Sequence, residues 1–374
     1  SSLKCVDHHK KTNYILKNSK TFLINLSLVI SAFLISFLVI EILFRIYVFG
    51  FGGNPLKIKN WAIDGVWDVN RSPVELNYRL GWIPRIGFST FNEPTHSITI
   101  NDYKLRSNFP RKLKKRSGKS ILFSGDSFTF GDGVNDNETF PSYFESMTKK
   151  DVINAGVPAY GIDQMFLRSM DLIKQFPISD LFFCFIPDDI NRCNNSTFHK
   201  IRKPYFVIDK NDIKLVPISN DDFSKTEKFN ITLFHKIGGF SLVINNIMRG
   251  FFPEYWIYSV QLSKKEEHTN GKQIATILIN SLKNECDKNN INFYVVPLTH
   301  ERYSNYDKNN LQFVLDAIDE DINVINVFDH LEGIREENPD LFSSYFLKKN
   351  YHYSKQGNEY VARFIFNELE KSSL

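Results

Sequence analysis

Ser127 and His352 are the residues whose types and settings could do covalent chemistry. A serine hydroxyl is a weak nucleophile until an imidazole accepts its proton, and the pair can then carry an acyl group from one oxygen to another. Ile121-Leu-Phe-Ser-Gly-Asp-Ser127 reads as the end of a buried strand running into a tight turn. Gly125 permits that turn, which exposes Ser127 at the strand's carboxyl end, the edge where open α/β sheets carry their sites. The bland alternatives stand beside this reading. Gly-Asp-Ser alone also suits an ordinary helix-capping turn, and His352 also suits a surface position ahead of a last helix capped by Ser354.

Four further blocks follow in order. Gly125-Asp-Ser-Phe-Thr-Phe-Gly-Asp-Gly-Val134 precedes Thr139-Phe-Pro141, then Val152-Ile-Asn-Ala-Gly-Val-Pro-Ala-Tyr-Gly161, then Phe182-Phe-Cys-Phe-Ile-Pro-Asp-Asp-Ile190, and last the His352 segment. This order and spacing resemble the SGNH hydrolase family of GDSL-type esterases, in particular its membrane-anchored bacterial branch. The resemblance spans most of the chain and is specific to the superfamily, not to a substrate. It implies that Ser127 attacks an acyl carbonyl and that His352 takes the serine's proton. It also implies that the Ser127 amide, Gly156 and the residue at Asp188 bind the oxyanion.

Two positions depart from the family pattern. Asp188 stands where the family has an asparagine, and a carboxylate can donate a hydrogen bond only when protonated. Loss of one oxyanion donor costs roughly two to three orders of magnitude in rate. Ahead of the histidine, where the family commonly has aspartate, this chain has Lys349 and Asn350. Asn350 can orient an imidazole through its carbonyl oxygen but cannot stabilise the imidazolium by charge. Open alternatives are that Gly156 and Asn154 only form the turn after a strand, and that Asp188 and Asp189 are solvated caps of a helix beginning near Ile190.

The elements that must position these groups alternate along the chain. Ser120 to Phe123, Val152-Ile153, Leu181 to Ile186, Phe293 to Val296 and Val324 to Phe328 are the expected strands, with helical patterns between them. Continuous apolar strands of this kind belong to a mostly parallel sheet covered on both faces. The expected fold is a three-layer α/β/α sandwich, SGNH-hydrolase-like and flavodoxin-like, over residues 118–374.

Thr21 to Ile40 is a run of twenty uncharged, mainly aliphatic residues. That suffices to cross a bilayer core of about 30 Å. Lys4, Lys10, Lys11, Lys17 and Lys20 precede it, so the positive-inside rule predicts a cytoplasmic amino terminus over 1–20 and an extracytoplasmic remainder, periplasmic or extracellular. The anchor helix is expected over 21–49. Glu41 and Arg45, four apart near its end, can pair on one face.

Residues 50–117 read as a membrane-proximal lead-in with short strands at Leu80 to Pro84 and Ser97 to Asn101, closed by the basic run Arg111 to Arg116. An insertion at about 192–263 breaks the alternation, with a hairpin around Lys210-Asn-Asp212 and a helical stretch at Leu242 to Tyr258. It is expected either to overhang the site as a cap or to pack peripherally. Tyr205, Trp256, Tyr258 and Tyr303 are candidate stacking surfaces for sugar rings.

Several function classes are excluded from the expectation. Cys5, Cys184, Cys193 and Cys286 form neither a disulfide framework nor a metal spacing, and scattered histidines such as His96, His199 and His300 lack a ligand pattern, so no metal is predicted. A net charge of +4 is too small to argue for nucleic acid, and no glycine-rich loop with lysine suggests a nucleotide; no cofactor is expected. The leading expectation is an anchored serine esterase or O-acyltransferase acting on acylated, O-acetylated envelope carbohydrate. The alternatives are a catalytically weakened binding or assembly protein that keeps the fold, and a lipase-like enzyme acting on membrane lipid.

Overall fold

The computed structural model describes residues 2–50, 58, 60–63, 73–87, 97–109, 118–198, 201–210, 212–220, 231–256, 269–348 and 351–372, with backbone alone in 2–19 and 253–254. The chain divides into two compact units, one comprising 1–66 and 229–258 and the other 67–228 and 259–374.

In the larger unit a five-stranded sheet is parallel throughout. Its strands are β3 (Ser120–Ser124), β4 (Val152–Asn154), β5 (Ile178–Phe185), β10 (Asn292–Pro297) and β11 (Asn323–Val324), and the spatial order is β11-β10-β5-β3-β4. The sheet therefore starts at β3, steps outward to β4, and then reverses to β5 on the other side. That reversal opens a crevice at the carboxyl ends of β3 and β5, the switch point at which such sheets bind ligands.

Alternate residues of each strand face opposite layers because the side-chain period is two. Leu122, Leu181, Phe183 and Val295 pack with α4 (Ile162–Gln175), α9 (Gly271–Lys288) and α10 (Asn305–Ala317). Ile121, Phe123, Phe182 and Val296 pack with α3 (Phe140–Thr148), α11 (Val327–Glu337), α12 (Pro339–Ser344) and α13 (Lys355–Ser372). The result is a three-layer α/β/α sandwich. Phe123, Phe182 and Tyr294 stack across three adjacent strands at centroid spacings of 4.6 and 4.7 Å.

Two expected strands are corrected. The run Val324 to Phe328 contributes strand only at Asn323–Val324, and α11 begins at Val327 because the Asn326 side chain accepts from the Asp329 amide at 3.0 Å and starts a helix. Ser97 to Asn101 forms no strand: it makes an isolated bridge from Ile100 to Arg106, the Ser97 and Thr99 amides donate to the Asn135 and Asp136 side chains, and the Thr99 carbonyl accepts from the Ser107 amide. A two-stranded antiparallel pair, β1 (Val74–Asn77) with β2 (Gly81–Pro84), does form in the lead-in, while Arg111 to Arg116 lies outside the described residues.

The insertion's described residues divide between the units. The small pair β6 (Thr197–Phe198) and β7 (Ile201–Arg202) and the hairpin β8 (Tyr205–Asp209) with β9 (Asp212–Val216) belong to the larger unit. The smaller unit holds α6 (Leu233–Gly238), α7 (Leu242–Phe251) and α8 (Pro253–Trp256) with α1 (Ser2–Phe49). Trp256 is 1% exposed, donates to Asn245 Oδ1 and stacks on His235, so it is a core residue and not a sugar platform. Tyr258 lies outside the described residues. Lys20–Phe49 of α1 is long and apolar enough to cross a membrane.

Candidate active site

The turn that carries Ser127 is built by its neighbours. A Cβ on Gly125 would come within 2.6 Å of the Cys184 carbonyl and collide with Thr129 Oγ1, so only glycine lets the chain leave β3 this closely against β5. Asp126 then caps α2 (Ser127–Phe130), its Oδ1 accepting from the Phe128 amide at 2.8 Å. Gly131, at φ +84°, ends this single turn in the left-handed conformation. Ser127 is thus the first helical residue at the crevice edge, 8% exposed.

His352 Nε2 lies 2.7 Å from Ser127 Oγ, against 3.3 Å from the same hydroxyl to Asp126 Oδ2. With the ring proton assigned to Nδ1, Ser127 donates to the imidazole and is poised to lose its proton there. The ring is held by packing, with Phe128 at 4.7 Å between centroids, and Phe128 is itself fixed edge-on by Tyr353 at 5.0 Å. The His352 carbonyl accepts from the Leu347 amide at 2.7 Å. Tyr351, the residue before it, sits at φ +61°, a conformation costing a non-glycine residue about 1 kcal/mol or more, which its surroundings must offset. Arg302 covers its ring at 4.3 Å.

Asp132 Oδ2 lies 4.0 Å from the same His352 nitrogen. Burial pushes the Asp132 carboxyl up to about 6, with the Arg106 guanidinium opposing the shift, although its side chain keeps 23% exposure. Asp132 enters this position because Arg106 organises the whole turn that follows Ser127. The Arg106 side chain, fully buried, donates to the carbonyls of Phe130 (2.9 Å), Gly131 (2.6 Å) and Val134 (2.7 Å), pairs with Asp136 at 3.3 Å and lies over the Phe130 ring.

On the β5 side, α5 (Pro187–Arg192) begins at Pro187, not near Ile190, with Asp189 turned inward. Asp189 is buried, not solvated: its Oδ2 accepts from the Ile186 amide at 2.9 Å and its Oδ1 faces Arg192 at 2.7 Å. Burial drives the Asp189 carboxyl well above the ordinary carboxylate range, and neighbouring Asp126 adds to the shift. Asp188 reaches Arg192 Nη2 at 2.7 Å, and Asp126 lies 3.8 Å from Nη1. One guanidinium therefore faces three carboxyl groups, and Asp188 is engaged as its ion-pair partner.

A Cβ on Gly156 would collide with the Phe130 amide and come 2.6 Å from the Thr129 carbonyl carbon, so this glycine sits directly on the backbone of α2. Its amide donates to Asn154 Oδ1 at 3.1 Å, closing a turn after β4. Asn350 lies outside the described residues. The structure thus joins Ser127 and His352, seats Gly156 on the turn that carries Ser127, and commits Asp188 to Arg192. Among the described residues no group of three or more His, Cys, Asp or Glu could hold a metal ion.

Asp132, Arg192, His300 and Arg106 escaped the sequence reading as site residues. The i, i+4 spacing of Asp188 and Arg192 on a short helix is a signal that could have found one pair. Asp132 lies within the same block as Ser127. His300, whose ring lies 6.5 Å from Phe128, is held neutral near physiological pH, burial lowering it to about 4 against the pull of Asp188. Arg106 carries no local signal, since its partners are some thirty residues away.

No family model matches the chain, and no curated protein matches it. Solved structures do. A lipase/acylhydrolase from Enterococcus faecalis is 12% identical, with 68% of this chain and 96% of that one covered and a TM-score of 0.34. A member of the lipolytic G-D-S-L family from Veillonella parvula is 12% identical over 67% and 97%, TM-score 0.35. A catalytic mutant of an acetylxylan esterase from Geobacillus stearothermophilus is 15% identical over 68% and 96%, TM-score 0.38.

Proposed function

We propose that the chain is an anchored serine esterase or O-acyltransferase that acts on acylated, O-acetylated carbohydrate of the cell envelope through an acyl-enzyme on Ser127. The observation that carries this reading is the 2.7 Å approach of His352 Nε2 to Ser127 Oγ at a parallel-sheet switch point. Ser127 Oγ bonds to the acyl carbon as His352 takes its proton, and the imidazolium returns that proton to the departing sugar oxygen. Water or a second hydroxyl then attacks the acyl-enzyme and gives its proton to His352, which passes it to Ser127 Oγ as the ester bond to the serine breaks. Hydrolysis and transfer share every residue up to that attack.

The Ser127 and Gly156 amides are the oxyanion donors in this scheme, Gly156 exchanging its bond to Asn154 for one to substrate. Arg192 pairs with the Asp188 carboxylate and offsets the repulsion a free carboxylate would exert on a developing oxyanion. Asn350 orients the ring. Helix α1 anchors the chain in the membrane with its amino terminus cytoplasmic, and the esterase unit works outside.

Asp132 supplies the charge that Asn350 lacks. A unit charge 4 Å from another at the effective dielectric of a protein surface interacts by up to about 4 kcal/mol, and screening of a partly exposed group leaves about 1.4 kcal/mol, a tenfold effect. Asp132→Asn is expected to lower kcat/KM about tenfold at pH 8, where the native carboxylate is ionised above its value of about 6. Because the anion favours the imidazolium, its loss should also move the acid limb of the pH profile to lower pH. A profile of unchanged height and position removes Asp132 from the mechanism.

The experiment is hydrolysis of a short-chain aryl acetate by the detergent-solubilised chain, with Ser127→Ala as control, followed by product analysis with an acceptor sugar. Serine-dependent turnover supports the reading, and sugar acetylation selects transfer over hydrolysis. A second reading, a catalytically weakened binding or assembly protein, draws on Asp188 being an ion-pair partner in place of an amide donor. It predicts equal background rates in both proteins and an unchanged cellular function in Ser127→Ala.

A further inference from the structure

The smaller unit carries an exposed apolar surface that the chemistry above does not use. Helices α6 and α7 meet at Gly239-Phe-Ser241, and this elbow is fastened to α1 by polar bonds. Glu41, 8% exposed, accepts from Arg45 Nε (2.6 Å), Ser241 Oγ (2.7 Å) and the amides of Leu242 (2.8 Å) and Val243 (3.0 Å). Its carboxylate therefore caps the amino terminus of α7, where backbone donors and the helix dipole favour a negative charge. Arg45 completes the clasp through Nη2 to the Phe240 carbonyl at 2.6 Å. Asn60, beyond the end of α1, holds the last turn of α6, donating to the His235 carbonyl at 3.0 Å while its own oxygen accepts from the Ala62 and Ile63 amides.

Polar bonds make this joint, and large apolar side chains on and beside its helices are left exposed. Leu233, Ile237, Phe240, Ile247, Phe251 and Phe252 are all exposed, Phe251 to 77%. An apolar face of this size on water marks an interaction surface. Its occupant follows from depth. Glu41 is the twenty-second of the thirty residues in the apolar stretch Lys20–Phe49, so it stands about 32 Å along the helix from Lys20 at 1.5 Å per residue. A hydrocarbon core of about 30 Å ends at that level. Whatever Glu41 holds is held at the membrane boundary, the layer in which Phe-rich amphipathic helices with a few basic groups come to rest. Lys236 and Arg249 are the basic groups here, both exposed.

We propose that α6 and α7 form a membrane-interface foot, laying their apolar face into the headgroup–acyl boundary of the same bilayer that α1 crosses. The ligand is lipid acyl chain, with no headgroup selected. The inference rests on the anchoring role of α1, and Glu41 is its positioning residue: it sets the depth and angle at which α7 leaves the span.

The full chain, with Cys5→Ser so that the described cysteines, all buried, are its remaining thiols, is reconstituted into phosphatidylethanolamine–phosphatidylglycerol vesicles carrying doxyl labels at shallow or deep acyl positions. An environment-sensitive fluorophore is placed at Phe251→Cys, at Ile247→Cys as a second site on α7, and at Leu34→Cys within the span. Expected are quenching of about twofold or more at Leu34 by deep labels and at the two α7 sites by shallow labels. Quenching at Leu34 with water-like emission at both α7 sites overturns the foot and leaves the anchor standing. Absence of quenching at Leu34 overturns the anchor and the foot with it. Glu41→Ala should reduce shallow quenching at the α7 sites without changing Leu34; unchanged quenching there overturns the positioning role of Glu41.

Discussion

Ser127→Ala is expected to lower kcat/KM for aryl acetates by at least about ten-thousandfold. Ser127 Oγ is the hydroxyl bonded to His352 Nε2, and in the proposed scheme alanine removes both the attacking oxygen and the proton that the imidazole would accept. Alanine keeps the backbone of α2, whose cap comes from Asp126, so the fold should survive and circular dichroism should be unchanged. His352→Ala is expected to cost nearly as much, and the double variant little more than either single one, because the two act as a unit. Steady-state rates on the three variants check this. Fully additive losses would mean that the two residues work independently and that their 2.7 Å contact is incidental.

The second large effect falls on stability. Arg106→Met keeps the side chain's length and removes its guanidinium, leaving the carbonyls of Phe130, Gly131 and Val134 without that donor and Asp136 without its counter-charge in a buried setting. Breaking a buried ion pair from one side costs about 3–5 kcal/mol, which for a domain of this size lowers Tm by about 10 °C. The loss should depend on pH. Burial already raises the Asp136 carboxyl above its ordinary value while Arg106 opposes the rise, so removing Arg106 raises it further. A group whose folded pKa exceeds its unfolded value binds more protons when folded, so stability falls as pH rises through that range. The variant's deficit should therefore be larger at pH 8 than at pH 5, as urea unfolding at the two pH values would show. A deficit independent of pH would mean that Asp136 keeps its neutralisation from elsewhere.

How much of this could be read in advance depends on whether the cause is local. Ile121-Leu-Phe123 and Leu181 to Phe185 announce buried parallel strands because both faces of the sheet are covered and every position is apolar. Val324 to Phe328 carries the same apolar density yet splits between a two-residue strand and a helix. A five-residue run has too few turns to reveal its period, and the deciding group is the Asn326 side chain. The helix after β5 starts three residues before Ile190 because Pro187 suits a first helical turn and Asp189 caps it from inside. The hairpin around Lys210 follows from its alternation and turn residues.

The parts of the site that stayed hidden are those made by long-range contact. Asp132 reads as one more polar residue in a turn until Arg106 folds that turn beneath His352. Asp188 reads as a failed oxyanion donor until Arg192, one helical turn on, takes its charge. Glu41 reads as half of an intrahelical pair with Arg45, and that pair forms, but its second duty of capping α7 comes from residues two hundred positions away.

The most direct test of an acyl-enzyme on Ser127 is covalent capture by a fluorophosphonate, located by mass spectrometry of the digested protein. The native chain should carry the adduct on Ser127, His352→Ala should label far more slowly, and Ser127→Ala should carry none. A folded native chain in which Ser127 reacts no faster than surface serines, or at the same rate with and without His352, would contradict the account.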